Sequence, residues 1–400
     1  MKNKKHILVI PSWYPPNGGY FFKEQSEELK KRGYNVGLVY VEQNSLREVS
    51  IKNLTKKYFQ TKVCHENGLI VLRVYGWAIP KNQRLNHKLW VYLMIKLTKK
   101  YIEKYGKPDL IHAHSAIWAG DVAEKIKQFY KIPYIITEHR SRFVLNESER
   151  LNKKMYKNWH NNILKSTFRN ASKIITVGSH FTKNINNYLK KDDYKKIITI
   201  GNIVQTEFFK PTNKKPADLN NLKFLCIGSL EDYKGIDILI KGFKNVILKY
   251  PNTLLEIIGE GSSKLNLELL IKSLHLEKNV KLLGKYNRDQ IKKKLDKCDY
   301  FVLLSRFEAF GVVFIEAMSM GKPIIASNYI CSNLITDDTG IILNIDSMSN
   351  VENELLNSIK LIKKFDSKKI RKFAIENFSY DAIFAQIESV YNEVLKKYEN

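Results

Sequence analysis

The sequence predicts an α/β protein made of two doubly wound parallel-sheet halves whose strand ends face one cleft. Three observations predict it. Short apolar runs alternate with helical stretches along the chain, the pattern of β-α-β units in a parallel sheet. The 400 residues exceed what one hydrophobic core usually serves. The polar, Pro-containing stretch 208–222 separates two such series and reads as a linker.

In the first series, residues 7–11 are an apolar strand, 12–19 a Pro/Gly loop, 21–32 a helix closed by Gly33, and 35–40 the next strand. Strands at 110–113, 134–137, 173–177 and 197–200 continue it. The second series begins with a strand at 223–227 and a helix at 236–249. Strands follow at 254–258, 280–283, 300–304 and 323–326. A last helix, 380–397, comes after Phe378-Ser379. The expected domains are therefore 1–205 and 223–379, joined by a linker at 206–222 and followed by a C-terminal helical segment at 380–400. No tandem repeat at solenoid periods is present.

Hydrophobic residues make up 44% of the chain and aromatics 12%, enough for sizeable cores and unlike a disordered chain. Cys64, Cys226, Cys298 and Cys331 are scattered, without a C-x-x-C pair or a histidine cluster, which points to free thiols in a reducing compartment and away from zinc. The basic start Met-Lys-Asn-Lys-Lys is followed by an apolar run that stops at Pro11, too short for a signal peptide. Residues 89–95 are too few to span a bilayer. A cytoplasmic protein, soluble or peripheral at the inner face of the cell membrane, is expected.

Net charge is +27, unevenly placed. Residues 1–200 hold 38 Lys or Arg against 15 Asp or Glu, and residues 201–400 hold 29 against 25. A compositional lysine bias would raise both halves. Segments 51–100 and 151–200 dominate, and Lys153, Lys154, Lys157, Lys165 and Arg169 run beside Met155, Tyr156, Trp159 and Leu164 as on a basic amphipathic helix. Such a face suits an anionic membrane surface or a pyrophosphate-linked lipid on it, with Trp77, Trp90 and Trp159 as aromatic anchors. Nucleic acid is the competing partner, but no nucleic-acid motif accompanies the charge, so none is expected.

The most informative stretch is Ser305-Arg-Phe-Glu-Ala-Phe-Gly-Val-Val-Phe-Ile-Glu-Ala-Met-Ser-Met-Gly-Lys-Pro323. It reads as strand, loop and helix in that order, and a helix N-terminus at the carboxyl end of a parallel strand suits a phosphate. Glu308 in the loop and Glu316 within the helix flank the same pocket. Carboxylates repel phosphate but accept hydrogen bonds from a sugar diol, so the pocket suits a sugar-phosphate compound. The stretch resembles the E-x7-E signature of the family 4 retaining glycosyltransferases, including Phe-Gly after the first Glu and the closing Glu-Ala-Met-x-x-Gly-x-Pro. That resemblance implies a GT-B fold of two Rossmann-like domains, with the last helix returning to the N-terminal domain, in an enzyme of the bacterial surface-polysaccharide type.

Other positions carry the resemblance further. Gly228-Ser-Leu-Glu-Asp-Tyr-Lys-Gly235 follows the first strand of the second half, where the family reads Gly-Arg-Leu, a spacer and Lys-Gly. Lys234 matches the diphosphate-binding lysine, whereas Ser229 stands in place of the arginine. Gly259-Glu-Gly261 is a glycine turn without a full dinucleotide fingerprint. In the first half Gly18-Gly19 resembles the family's glycine loop, and Asn202-Ile-Val the segment at its domain junction. His112-Ala-His114 and Glu138-His139 end successive strands, where doubly wound sheets bind ligands.

The resemblance implies sugar transfer from a nucleotide sugar, with UDP favoured and GDP possible, to a glycan or lipid-linked acceptor. No metal or other cofactor is expected. Glu308 would orient the donor sugar, Glu316 the ribose, and His114 the transferred sugar. Lys234 and the helix start at Gly311 would neutralise the leaving diphosphate. Gly19, Ser229 and Phe310 complete the implied donor set, and His139 and Glu138 the acceptor side. The departing phosphate would itself take the acceptor proton. A nucleotide-sugar epimerase of the same fold, or a non-catalytic basic membrane- or nucleic-acid-binding protein, are the alternatives.

Overall fold

Continuous Val, Ile and Leu runs form strands that are buried on both faces of parallel sheets, because helices cover each side. The computed structural model describes residues 5–15, 18–46, 58–140, 143, 158–212, 221–330, 334–361 and 364–398. Cys331, the linker residues 213–220 and the basic positions Lys153, Lys154 and Lys157 with Met155 and Tyr156 lie outside the described residues. The chain divides into two units, Met1–Gly201 with Phe384–Asn400, and Asn202–Ile383.

The first unit contains β1 (His6–Pro11), α1 (Tyr20–Lys31), β2 (Asn35–Ser45), β3 (Thr61–Glu66), β4 (Leu69–Ala78) and α2 (Gln83–Tyr105). It continues with β5 (Leu110–His114), α3 (Asp121–Tyr130), β6 (Tyr134–Glu138), α4 (His160–Asn170), β7 (Lys173–Thr176), α5 (Phe181–Asn186) and β8 (Ile197–Thr199). The sheet order is β3-β4-β2-β1-β5-β6-β7-β8. Strand β3 pairs antiparallel with β4 and the other pairings are parallel. The β3–β4 hairpin turns at Asn67-Gly68, both at positive φ, the turn chemistry that matches strand twist. Strand order reverses at β1/β5, so the loops after these strands border the ligand-binding end of the sheet.

Helix α2 is capped by the Asn82 side chain, which accepts the Leu85 N–H, and buries Trp90, Val91, Leu93, Met94, Leu97 and Tyr101. Trp90 is a core residue, 2% exposed, and donates its indole N–H to the Val41 carbonyl at 2.8 Å. It therefore cannot anchor in a membrane. Trp77 stacks on Tyr58 with ring centroids 3.9 Å apart, and Trp159 packs against His87 and His160. Among the described residues no helix is long and apolar enough to cross a membrane.

The second unit contains β9 (Lys223–Ile227), α6 (Ile236–Lys249), β10 (Leu254–Ile258), α7 (Lys264–Ser273), β11 (Val280–Leu282) and α8 (Arg288–Lys297). Then come β12 (Tyr300–Leu303), α9 (Val312–Ser319), β13 (Ile324–Ser327), β14 (Gly340–Leu343), α10 (Met348–Lys360) and α11 (Ser367–Phe378). Its six strands are parallel in the order β11-β10-β9-β12-β13-β14, which reverses between β9 and β12. Residues 206–212 are fastened to this unit. Arg371 donates to the carbonyls of Thr206, Phe209 and Ser319, and the Asp296 carboxylate accepts the Thr212 N–H. The unit boundary thus falls at Gly201/Asn202, because backbone carbonyls, which side-chain polarity does not report, tie the expected linker down.

Helix α12 (Tyr380–Lys396) starts in the second unit and belongs to the first from Phe384 onward. There the Tyr391 hydroxyl lies 2.7 Å from His112 Nδ1, in the core beneath the first sheet's ligand-binding end.

Candidate active site

In the second unit, two loops meet at the β9/β12 reversal. The first runs from Gly228 to Gly235 and leads into α6; the second runs from Leu304 to Gly311 and leads into α9. Gly235 has φ +61°, and a Cβ there would lie 1.9 Å from the Leu304 carbonyl oxygen, so only glycine lets the first loop rest on the end of β12. Gly311 has φ +87°, and its Cβ would come within 2.4 Å of Phe314 and 3.3 Å of Glu308 Cγ. The 258–263 turn backs the first loop: Gly228 N–H bonds the Ile258 carbonyl, Leu230 N–H the Glu260 carbonyl, and Ser263 N–H the Leu230 carbonyl. Gly259 and Gly261 are there for this close approach.

This packing brings Lys234 and Glu308 together, 74 residues apart in sequence, with Nζ 2.6 Å from Oε2. Their side chains are 13% and 12% exposed, so the pair is shielded but reachable. Glu308 also accepts from Ser305 Oγ and from the Ala309 N–H. Arg306 holds the second loop to the first, donating to both oxygens of Asp237 and to the Asp232 carbonyl. Against the cost of burial, this pair of charge-assisted hydrogen bonds keeps the Asp237 carboxyl below its ordinary range. Ser229 Oγ lies 3.2 Å from the Tyr233 hydroxyl. Glu316 sits half-buried in α9, five residues or about one and a half turns from Gly311. Phe310, expected at the donor, is instead 4% exposed and packs edge-on against Phe378. Its apolar ring is used in the core.

In the first unit, β5 and β6 end in a histidine cluster. His114 is 1% exposed; its Nδ1 lies 3.1 Å from His139 Nε2, and its ring packs on His112 and Phe22. His139 is half-buried against Phe21 and Phe22. His112 bonds Tyr391 through Nδ1 and Thr137 through Nε2, both at 2.7 Å. Burial, with the neighbouring His139, pushes the His112 imidazole down to about 3 and that of His114, with both neighbours, well below its ordinary value. The neutral His114 ring carries one N–H and one lone pair, and its tautomer sets which way the hydrogen bond to His139 runs. Gly19 caps α1 beside the cluster, its carbonyl accepting the Phe22 N–H.

Glu138, expected on the acceptor side, is 1% exposed, and its carboxylate is fully engaged. It accepts from Ser115 Oγ and from the N–H groups of Ala116, His139 and Arg140. Ser115 and Trp118 have φ of +80° and +76°, conformations costly for side chains larger than glycine. Glu138 is the clamp that holds this strained turn after His114, assisted by Ser12, whose hydroxyl donates to the His114 carbonyl and accepts the Ala119 N–H. The carboxylate is spent on backbone donors, which explains its departure from the expected role.

Cys64, Cys226 and Cys298 are free thiols, and burial pushes Cys226 and Cys298 up to about 12. Among the described residues no cluster of three His, Cys, Asp or Glu side chains is arranged to hold a metal. Tyr233, Arg306 and Tyr391 were missed in the sequence. The first two sit inside recognised motifs, but nothing local marks Tyr391.

Known proteins share this chain's sequence patterns and its fold. Residues 19–208 match the family model described as Glycosyltransferase Family 4, and residues 205–343 that described as Glycosyl transferases group 1. The chain is 27% identical over 396 residues to an uncharacterised glycosyltransferase of Methanocaldococcus jannaschii, covering 97% of this chain and 98% of the relative. Among solved structures, sucrose-phosphate synthase from Thermosynechococcus elongatus superposes with a TM-score of 0.76 at 18% identity, covering 98% of this chain and 100% of the other. Anabaena HepE in complex with UDP gives 0.70 at 19%, covering 97% and 100%. The chain is a glycosyltransferase with the GT-B fold and belongs to glycosyltransferase family 4.

Proposed function

We propose that the protein transfers a sugar from a nucleotide sugar, a UDP-sugar before a GDP-sugar, to a hydroxyl on a glycan or lipid-linked acceptor, with retention at the anomeric carbon. The Lys234–Glu308 pair at the β9/β12 reversal carries this reading: an ammonium suited to a diphosphate beside a carboxylate suited to sugar hydroxyls. The UDP complex of a GT-B neighbour supports the choice of base. On binding, Lys234 and the α9 N-terminus take up the charge developing on the leaving diphosphate, without a metal. Glu308 orients the donor sugar and Glu316 the ribose. Neutral His114 offers a hydrogen bond to the transferred sugar, His139 serves the acceptor side, and the leaving phosphate accepts the acceptor proton.

The acceptor is proposed to lie on the cytoplasmic face of a membrane. The exposed stripe of α2 supports this, since Arg84, Lys88, Tyr92 and Lys96 share one solvent face beside Leu85, and Lys99 lies over the exposed Phe129 ring. The test is a thermal-shift screen of the full chain against a nucleotide-sugar panel, followed by transfer assays in chelator with Glu316→Ala. The expected result is stabilisation by one donor, chelator-resistant transfer, and loss of transfer in a folded variant. Full activity in that variant, or release of an epimerised free sugar without acceptor, would refute the assignment.

A further inference from the structure

We infer that the Tyr233 hydroxyl, acting with Ser229, binds the diphosphate of the donor, a role that rests on the donor-site reading above. Tyr233 is held rigidly between the two site loops. Its ring stacks on Phe307 with centroids 4.9 Å apart and planes 23° apart, and Phe307 is 4% exposed. Its carbonyl accepts the Arg306 N–H at 2.8 Å. The phenol is thereby aimed at Ser229, with the two oxygens 3.2 Å apart.

Each hydroxyl carries one hydrogen, and their mutual bond uses only one of the two. The other remains to donate, on the same loop that carries Lys234. The Lys234 stem passes 3.7 Å from where a Cβ on Gly228 would stand, and its Nζ lies 5.2 Å from the Tyr233 ring centroid. Lys234 already shares its charge with Glu308. Arg306, the other cation in these loops, is committed to Asp237 and the Asp232 carbonyl. A diphosphate offers several acceptor oxygens, more than one shared ammonium can satisfy. The Ser229–Tyr233 pair supplies the missing donor, as neutral hydroxyls where a second cation would otherwise be needed.

The test is calorimetric titration of the full chain with UDP and GDP, and with the matching monophosphates. Tyr233→Phe keeps the stack on Phe307 and should melt as wild type. It should weaken the diphosphate that the wild type binds about tenfold, the value of a hydrogen bond to a charged group. The monophosphate should lose less than about threefold by the same scale. Ser229→Ala should act in the same direction and serves if the phenylalanine variant fails to fold. Unchanged diphosphate affinity, or equal losses for both phosphates, would overturn the inference and leave the pair a loop brace. Failure of wild type to bind either diphosphate would overturn the donor reading itself, and this inference with it.

Discussion

Glu308→Gln should tighten the binding of nucleoside diphosphate while abolishing transfer. In the free protein Lys234 is 2.6 Å from the carboxylate it would have to share with an incoming phosphate. An anion hydrogen-bonded to the same ammonium would sit about 5 Å from Glu308, and at an effective dielectric of about 20 two unit charges at that spacing repel by about 3 kcal/mol. Both side chains keep some contact with solvent, and screening should leave about half of this, or roughly tenfold in affinity. Glutamine preserves shape and one acceptor oxygen but removes the charge, so the gain appears in binding and the loss in orientation of the donor sugar. Calorimetry with UDP or GDP measures the first, and product formation from the matching nucleotide sugar the second. Lys234→Ala is the mirror experiment and should weaken diphosphate and donor alike. Unchanged or weaker diphosphate binding by Glu308→Gln, or transfer at the wild-type rate, would refute the shared-ammonium reasoning.

The first unit should lose stability in mild acid. Burial holds His112 down to about 3 and His87 to about 4, with His114 also well below its ordinary value. The unfolded chain therefore takes up protons first, and stability that is complete above about pH 6.5 falls as pH drops toward the folded values, by about 1.4 kcal/mol per pH unit for each ring. Urea unfolding at pH 7.5 and 5.5 checks this, and equal stability at both would contradict it. Replacing Arg84, Lys88 and Lys96 together by Glu in the full chain should abolish sedimentation with anionic vesicles, since each basic residue contributes about 1 kcal/mol at most near such a surface. Salt should release the wild type in the same assay, and an unaffected triple variant would remove α2 as the docking face.

The sequence by itself determined most of the parallel strands, though not β3, β4 or β14, and the two loops that bring Lys234 and Glu308 together. Strands buried on both faces must be continuously apolar, and turns resting on another strand's end must be glycine, so β9, β12, Gly235 and Gly311 were legible as a pattern. Lys234 and Glu308 were legible for the same reason, since each sits in a strand-to-helix loop. The Asn67-Gly68 hairpin carried its turn signal and was passed over among lysines. Only the tertiary structure decided what the polar groups do. It spent Glu138 on the strained turn after His114, buried Phe310 and Trp90, joined Ser229 to Tyr233, and brought Tyr391 onto His112 across 279 residues. Burial and pairing of this kind depend on partners distant in sequence, and a hydrogen bond between such partners leaves no periodicity in the chain that makes it.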